Sequence, residues 1–238
     1  PPPPPPRSLS SAASDVYKRQ TQVYGLTETY GHVTECLWQD NDWATVTDEE
    51  RATIKARQGV AMPMMEDITV MNDKMKQIPM DSATQGEIMI RGNSVMKGYY
   101  KNEEATNTAF SGGYFHSGDI AIQHPNTYIQ IADRAKDIII SGGENISSVE
   151  VEGVLMAHEA VSLCAVVAMP DEKWGEVPCA FVELLPNAVP NERELIDFSR
   201  TKIAGFKCPK KIVFQELPKT STGKIQKFEL RKVAKDLT

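Results

Sequence analysis

Apolar positions change their period along this chain, and the changes mark its elements. Ile138, Ile139 and Ile140 form a short β-branched run, which predicts a buried strand over 138–140. Ser141, Gly142 and Gly143 follow as a turn whose paired glycines can take positive φ and let a ligand approach the backbone. Ser147 and Glu150 then have capping-box spacing, and Val151, Val154 and Leu155 give the helix expected over 147–157 its apolar stripe. Strand, glycine turn and capped helix in succession suit a phosphate or thioester neighbourhood, as they also suit a purely structural turn. Residues 163–169 are continuously apolar, as in a strand buried on both faces, and 179–185 reads as another strand. Asn191 caps a helix carrying Leu195, Ile196, Phe198 and Ile203, and 210–215 is a further strand. From 138 onward the pattern is β-α-β-β-α-β, a compact α+β unit.

Upstream the elements are shorter. Tyr24-Gly25 ends a strand-like piece. Thr47 and Glu50 predict a capped helix over 48–57, closed at Gln58-Gly59. Strands are expected over 67–71 and 86–91, a helix over about 102–110, and an alternating strand over 128–131. Residues 1–20, PPPPPPRSLSSAASDVYKRQ, read as a leader outside the fold, because six prolines form a polyproline II rod and no apolar signal segment follows.

Composition narrows the function class. A net charge of −6 leaves no basic footprint for nucleic acid, and no apolar run has the length of a membrane span. Cys36, Cys164, Cys179 and Cys208 lack CxxC spacing, which implies a reduced, cytoplasmic setting, and Cys164 and Cys179, inside apolar strand-like runs, read as small core residues. His32, His116, His124 and His158 have no metal-ligand spacing.

Four stretches could carry chemistry. In TQVYGLTETYG, Tyr24, Thr27 and Glu28 offer an aromatic ring, a hydroxyl and a carboxylate that could stack on a base, touch a phosphate and hold Mg²⁺; Thr27 equally suits a helix N-cap. In SGGYFHSGDI, Asp119 follows a tight Ser117-Gly118 turn that would fix its carboxylate to accept two hydrogen bonds from a ribose diol, or would form an Asx-type turn in a hairpin loop. The glycine turn is the third. In PKTSTGKIQKFELRK, an exposed, flexible turn presents Lys224 as a mobile point charge, while Lys227, Arg231 and Lys232 read as the solvated face of a C-terminal helix.

In order and spacing these stretches resemble the AMP-forming acyl-CoA ligases of the adenylate-forming superfamily. YGLTE, GEIMIRGNSVMKGYY, YFHSGD, DRAKDIIISGGENISSVEVE and PKTSTGKIQK carry the resemblance, which covers residues 21–238. It is closest to ligases for short, medium or aromatic acids, and GLTETYGHVTEC with ARQG is similar to methylmercaptopropionate–CoA ligases.

The resemblance implies a fold and a set of roles. Residues 21–133 would be the C-terminal portion of the large domain, a distorted β-barrel with short helices, and 134–238 a mobile α+β C-terminal domain. Tyr24 and Gly25 would line the adenine site, Thr27 would contact the α-phosphate, and Glu28 would hold Mg²⁺. Asp119 would bind the ribose with Arg134 assisting, Lys136 would be the interdomain hinge, and Lys224 would drive adenylation of a carboxylic acid by ATP. Ser141, Gly142 and Gly143 would line the pantetheine channel of CoA, and Phe206 and Lys210 would hold its nucleotide. Cys208 stands where some relatives carry a basic residue. Trp174-Gly175-Glu176 matches a family segment to which no role is assigned. The family's Ser/Thr/Gly-rich phosphate loop is not in the sequence, so the chain is expected to be the C-terminal part of a longer enzyme and unable to adenylate alone. An adenylation module loading a carrier protein and a non-catalytic nucleotide-binding fragment are the competing readings.

Overall fold

The computed structural model describes residues 21–39, 43 and 45–237. The leader expected over 1–20 lies outside the described residues. The chain divides into two compact units, one the described part of Pro1–Ser117 with Ala121–Ile131, the other Gly118–Ile120 with Ala132–Thr238.

The first unit begins with β1 (Val23–Leu26) and β2 (Gly31–Glu35), joined by a 3-10 turn over Thr27–Thr29. Helix α1 (Asp48–Lys55) follows, then β3 (Val60–Ala61), β4 (Met65–Met71), β5 (Gln85–Gly92) and α2 (Glu103–Ala109). Strands β6 (Phe115–Gln123) and β7 (Ile129–Arg134) run on into residues of the second unit. Helix α1 starts as its sequence predicts: Thr47 and Glu50 exchange both capping-box bonds. The strands form two sheets, β1-β2-β3 and β4-β5-β6-β7. They do not close into a barrel among the described residues, although an isolated bridge pairs Gly59 with Ile129. Val33, Ile68, Val70, Ile88, Ile90 and Phe115 fill the core.

The second unit contains β8 (Ile139–Ser141), β9 (Glu144–Ile146), α3 (Ser148–Met156), β10 (Val161–Asp171), β11 (Gly175–Leu184), α4 (Glu192–Arg200), β12 (Lys211–Phe214) and α5 (Lys227–Lys235). Strand β11 is central, antiparallel to β10 and parallel to β12. Both of its faces are covered. Val166, Ala180 and Val182 pack with Val151 and Leu155 of α3 and Leu195 of α4. Ala165, Val167 and Phe181 pack with Leu230 and Ala234 of α5. That double burial is why the 163–169 run shows no alternation. The architecture is α+β, as expected.

Three elements differ from the sequence reading. The glycine turn links two strands, not a strand and a helix: Ile139 pairs with Ile146, Ile140 with Asn145 and Ser141 with Glu144. Gly142 and Gly143 have φ of 60° and 88°, as a two-residue hairpin turn demands, so the helix N-terminus does not adjoin the turn. Asp119 lies within β6 rather than in a hairpin loop; Gly118, at φ 72°, bends the strand just before it. Strand β11 begins at Gly175, ahead of the strand expected over 179–185. Pro178 masks it in sequence, because proline within a run argues against a central strand.

Candidate functional site

In the first unit, residues 24–28 sit on a locally over-determined turn. Thr29 is buried, accepts from the Leu26 N–H at 2.9 Å and donates to the Leu26 and Gly31 carbonyls at 3.0 and 2.8 Å. Tyr30 closes the turn in the left-handed region, φ 55°, with its N–H on the Thr27 carbonyl. Thr29, not Thr27, therefore does the capping, and the Thr27 side chain is left exposed with no hydrogen bond among the described residues. Gly25 is fixed by crowding: a Cβ there would lie 2.0 Å from the Gly31 carbonyl oxygen. Tyr24 is buried in the core with Val33 and Ile68, so only a small part of its ring faces outward.

Glu28 joins two of the sequence motifs. Its carbonyl accepts from the Met96 N–H at 2.7 Å, and its Oε1 accepts from the Tyr99 hydroxyl at 3.2 Å. Burial and then the Glu28 charge raise the Tyr99 phenol above its ordinary value, keeping it a donor. Glu28 Oε2 has no hydrogen bond among the described residues. Mg²⁺ is ordinarily held by one or two carboxylates, with phosphate and water oxygens completing its shell. One oriented carboxylate with a spare oxygen fits that need, whereas the described residues hold no cluster of three or more metal-ligating side chains.

In the second unit Asp119 is 4% exposed, and Arg134 Nε stands 3.3 Å from its Oδ1. The neighbouring Asp133, buried at 2%, has a different task. Its Oδ2 accepts from the Ser148 N–H at 2.5 Å and its Oδ1 from the Arg134 N–H at 2.7 Å. Together with Ser147, whose Oγ accepts from the Glu150 N–H and donates to the Ala132 carbonyl, it caps α3. Half of the expected capping box forms; the Glu150 carboxylate turns away to Lys207. Lys136 is exposed on a 3-10 turn over Ala135–Asp137. Arg231 Nη2 donates to the Lys136 carbonyl at 3.2 Å and pairs with Asp137.

The glycine hairpin has a wall that the sequence reading left without a role. Trp174 receives the Gly142 N–H on its carbonyl at 2.8 Å, and a Cβ on Gly142 would meet the Trp174 ring at 2.8 Å. Asp171 accepts from the Lys173 and Trp174 N–H groups and so sets the turn, and Glu176 accepts from the Ile140 N–H. Phe206 and Lys210 are exposed. Cys208 is buried at 2% with its thiol toward the Ala204 carbonyl, so it offers a ligand nothing. Burial raises its thiol and that of Cys164, and pushes Cys179 up to about 12, which makes these cysteines inert.

Lys224 stands on a closed hairpin rather than a loose turn. Lys219 bridges to Ile225, the Thr220 N–H reaches the Lys224 carbonyl at 2.8 Å, and Thr220 Oγ1 accepts from the Lys224 N–H at 3.1 Å. Glu183 anchors one leg, taking the Leu217 N–H at 2.6 Å and Lys219 at 2.9 Å; these bonds hold its carboxyl below the ordinary 4.5. Lys227 anchors the other leg. Its ammonium lies 2.7 Å from Glu152 Oε1 and 2.7 Å from Ser148 Oγ, and its side chain is 18% exposed. Arg231 and Lys227 are thus structural ties, contrary to the solvated face expected of them; of the three cations only Lys232, 66% exposed, behaves so. The Lys224 ammonium makes no ion pair or hydrogen bond among the described residues.

Residues 3–100 match the family described as AMP-binding enzyme, and residues 150–224 match the AMP-binding enzyme C-terminal domain. An acetate–CoA ligase of Humulus lupulus is 50% identical over 236 residues, 97% of this chain and 41% of that protein. A peroxisomal acetate/butyrate–CoA ligase of Arabidopsis thaliana is 50% identical over 225 residues, 92% of this chain and 39% of that protein. Among solved structures, ATP-bound MatB from Rhodopseudomonas palustris is similar with a TM-score of 0.78 at 30% identity, over 91% of this chain and 41% of that one. The chain spans about two fifths of the length of these relatives. No helix among the described residues is long and apolar enough to cross a membrane.

Proposed function

Because this chain belongs to the AMP-binding, adenylate-forming enzyme family, we propose that it serves as the C-terminal portion of an AMP-forming ligase joining a short- or medium-chain carboxylic acid to CoA. The observation that carries the reading is a lysine, Lys224, whose ammonium has no ion pair or hydrogen bond among the described residues, displayed on a hairpin anchored at both legs. A fixed point charge of this kind suits a transition state that gathers negative charge.

In the first step an oxygen of the acid attacks the α-phosphorus of ATP, the bond to pyrophosphate breaks, and an acyl-adenylate forms. Lys224 neutralises charge growing on the carboxylate and phosphate oxygens. Thr27 contacts the α-phosphate with its exposed hydroxyl, and Tyr24 meets adenine through the small ring surface that core packing leaves free. Asp119 accepts hydrogen bonds from the ribose diol, with Arg134 beside it. Mg²⁺ held by Glu28 would supply further charge neutralisation at the phosphates when bound. In the second step the CoA thiol attacks the acyl carbon, and AMP leaves with the oxygen that came from the acid. Ser141, Gly142 and Gly143 line the pantetheine path, walled by Trp174, and Phe206 and Lys210 hold the nucleotide. Lys136 is the pivot between the two steps. The four free, buried cysteines support a thiol-reducing compartment; cytoplasm is the reading from sequence, and the Arabidopsis thaliana relative is named peroxisomal.

The test joins this chain to the upstream portion of a relative and measures nucleotide products with acetate or butyrate. Pyrophosphate release should need acid but not CoA, and multiple-turnover AMP release should need both. Activity only with a carrier protein in place of CoA would favour a carrier-loading module. No acid-dependent pyrophosphate at all would favour a non-catalytic fragment.

A further inference from the structure

The two segments read as CoA contacts, the glycine hairpin and residues 206–210, lie far apart in sequence, and an ion pair ties the second to the helix that follows the first. Lys207 Nζ reaches both oxygens of Glu150, at 2.8 and 2.7 Å, across 57 positions of sequence. We propose that Glu150 and Lys207 are positioning residues for CoA: their pair sets residues 206–210 at a fixed distance from the helix that follows the glycine hairpin. The proposal rests on the acyl-CoA ligase reading above.

Both ends of the tie are rigid. Glu150 sits in the first turn of α3, where the helix dipole favours a carboxylate. Its N–H is held by Ser147 Oγ at 3.1 Å, and Ser147 is fixed in turn on the Ala132 carbonyl at 2.8 Å. At the other end the Lys207 N–H bonds the Ala204 carbonyl at 2.9 Å, and Cys208 is buried immediately after it. Phe206 and Lys210 flank this fixed point, and both face solvent.

The pair makes little sense as a stability device alone. Its side chains are 27% and 39% exposed, and such pairs contribute little to folding. Glu150 nevertheless forgoes the second capping-box bond to reach Lys207. A polyanionic ligand gains from cations and rings already in place, because ordering them on binding opposes affinity. With Cys208 buried and Lys207 engaged, Lys210 is the segment's remaining outward cation, so its placement carries more of the recognition.

The test is CoA affinity by calorimetry on the 238-residue chain, for wild type, Glu150→Gln, Lys207→Met, and the swap Glu150→Lys with Lys207→Glu. We expect wild type to bind CoA, each single variant to bind about three- to tenfold more weakly, and the swap to return to within about twofold. All thermal midpoints should stay within about 3 °C, as expected for a partly exposed pair. Single variants that bind like wild type would overturn the positioning role. So would tighter binding by Glu150→Gln, which would make freed Lys207 a direct phosphate ligand, or a swap as weak as the singles. Absence of CoA binding by the wild type, both alone and joined to a relative's upstream portion, would instead remove the ligase reading and the positioning role with it; binding only in the joined form moves the same comparison of variants there.

Discussion

Lys224→Ala lowers the rate of acyl-adenylate formation by about 10²–10³-fold, while thioester formation from supplied acyl-adenylate stays within about threefold. The asymmetry follows from where charge develops. Attack on the α-phosphorus concentrates negative charge that an ammonium can neutralise, whereas thiol attack on the acyl carbon discharges an already formed AMP. The Lys224 side chain makes no bond that the hairpin needs, since closure rests on backbone groups, Thr220 Oγ1, and the Glu183 and Glu152 anchors. The variant should therefore fold normally. Lys224→Arg should recover little, because a planar guanidinium presents its charge in a different geometry from a compact ammonium. Both half-reactions are to be measured in the chain joined to a relative's upstream portion. Equal losses in the two would reject Lys224 as the adenylation charge.

Lys227→Met destabilises the protein by about 3 kcal/mol, the low end of the cost of leaving one member of a buried ion pair alone, because this pair is largely rather than fully buried. Glu152 is 12% exposed at its side chain, and burial already raises its carboxyl above the ordinary 4.5, with Lys227 opposing that rise. Its Oε1 also accepts from the Val166 N–H at 2.8 Å, so the carboxylate cannot simply swing out. Adding Glu152→Gln to Lys227→Met should recover most of the loss, since an amide keeps the acceptor for Val166 and removes the charge. The pH dependence has a definite sign. A carboxyl whose folded pKa lies above its unfolded value contributes stability below the unfolded pKa and loses it as pH rises through the folded one. Removing Lys227 widens that gap, so the variant's deficit should grow as pH rises above the ordinary carboxyl range. Urea unfolding of the 238-residue chain reads both effects; a deficit under about 1 kcal/mol, or one that shrinks with rising pH, would contradict the buried-pair assignment.

Much of the second unit was legible because its signals are local or periodic. Asn191 caps α4 through the Glu194 N–H, and the unbroken apolar runs became strands covered on both faces. What escaped depends on partners distant in sequence. Strand β9 is polar apart from Ile146 and exists because Gly142-Gly143 lets Ile146 pair with Ile139. Lys227 and Arg231 have the spacing of a solvated helix face, and only the fold brings them to Glu152 and Asp137. Asp133 carries no spacing signal of its own, yet it is a buried cap of α3. In the candidate site the sequence offered candidate side chains more readily than the groups that support them. Glu28 and Asp119 were singled out by type and spacing, and Arg134 was paired with Asp119 by resemblance. Tyr99, which orients Glu28, and Trp174, which walls the glycine hairpin, belong to matched motifs but carry no spacing signal of their own. Tyr24 shows the converse: an aromatic noted for stacking turned out to serve the core as well.

The most direct test of the central claim follows the acid's oxygen. With the chain joined to a relative's upstream portion, supplied with acid labelled by ¹⁸O in its carboxylate, unlabelled ATP and CoA, attack on the α-phosphorus must leave one labelled oxygen in each AMP. Mass spectrometry of the nucleotide should find that oxygen and find none in the pyrophosphate. Label in pyrophosphate or inorganic phosphate, or AMP free of label, would contradict acyl-adenylate formation by this site.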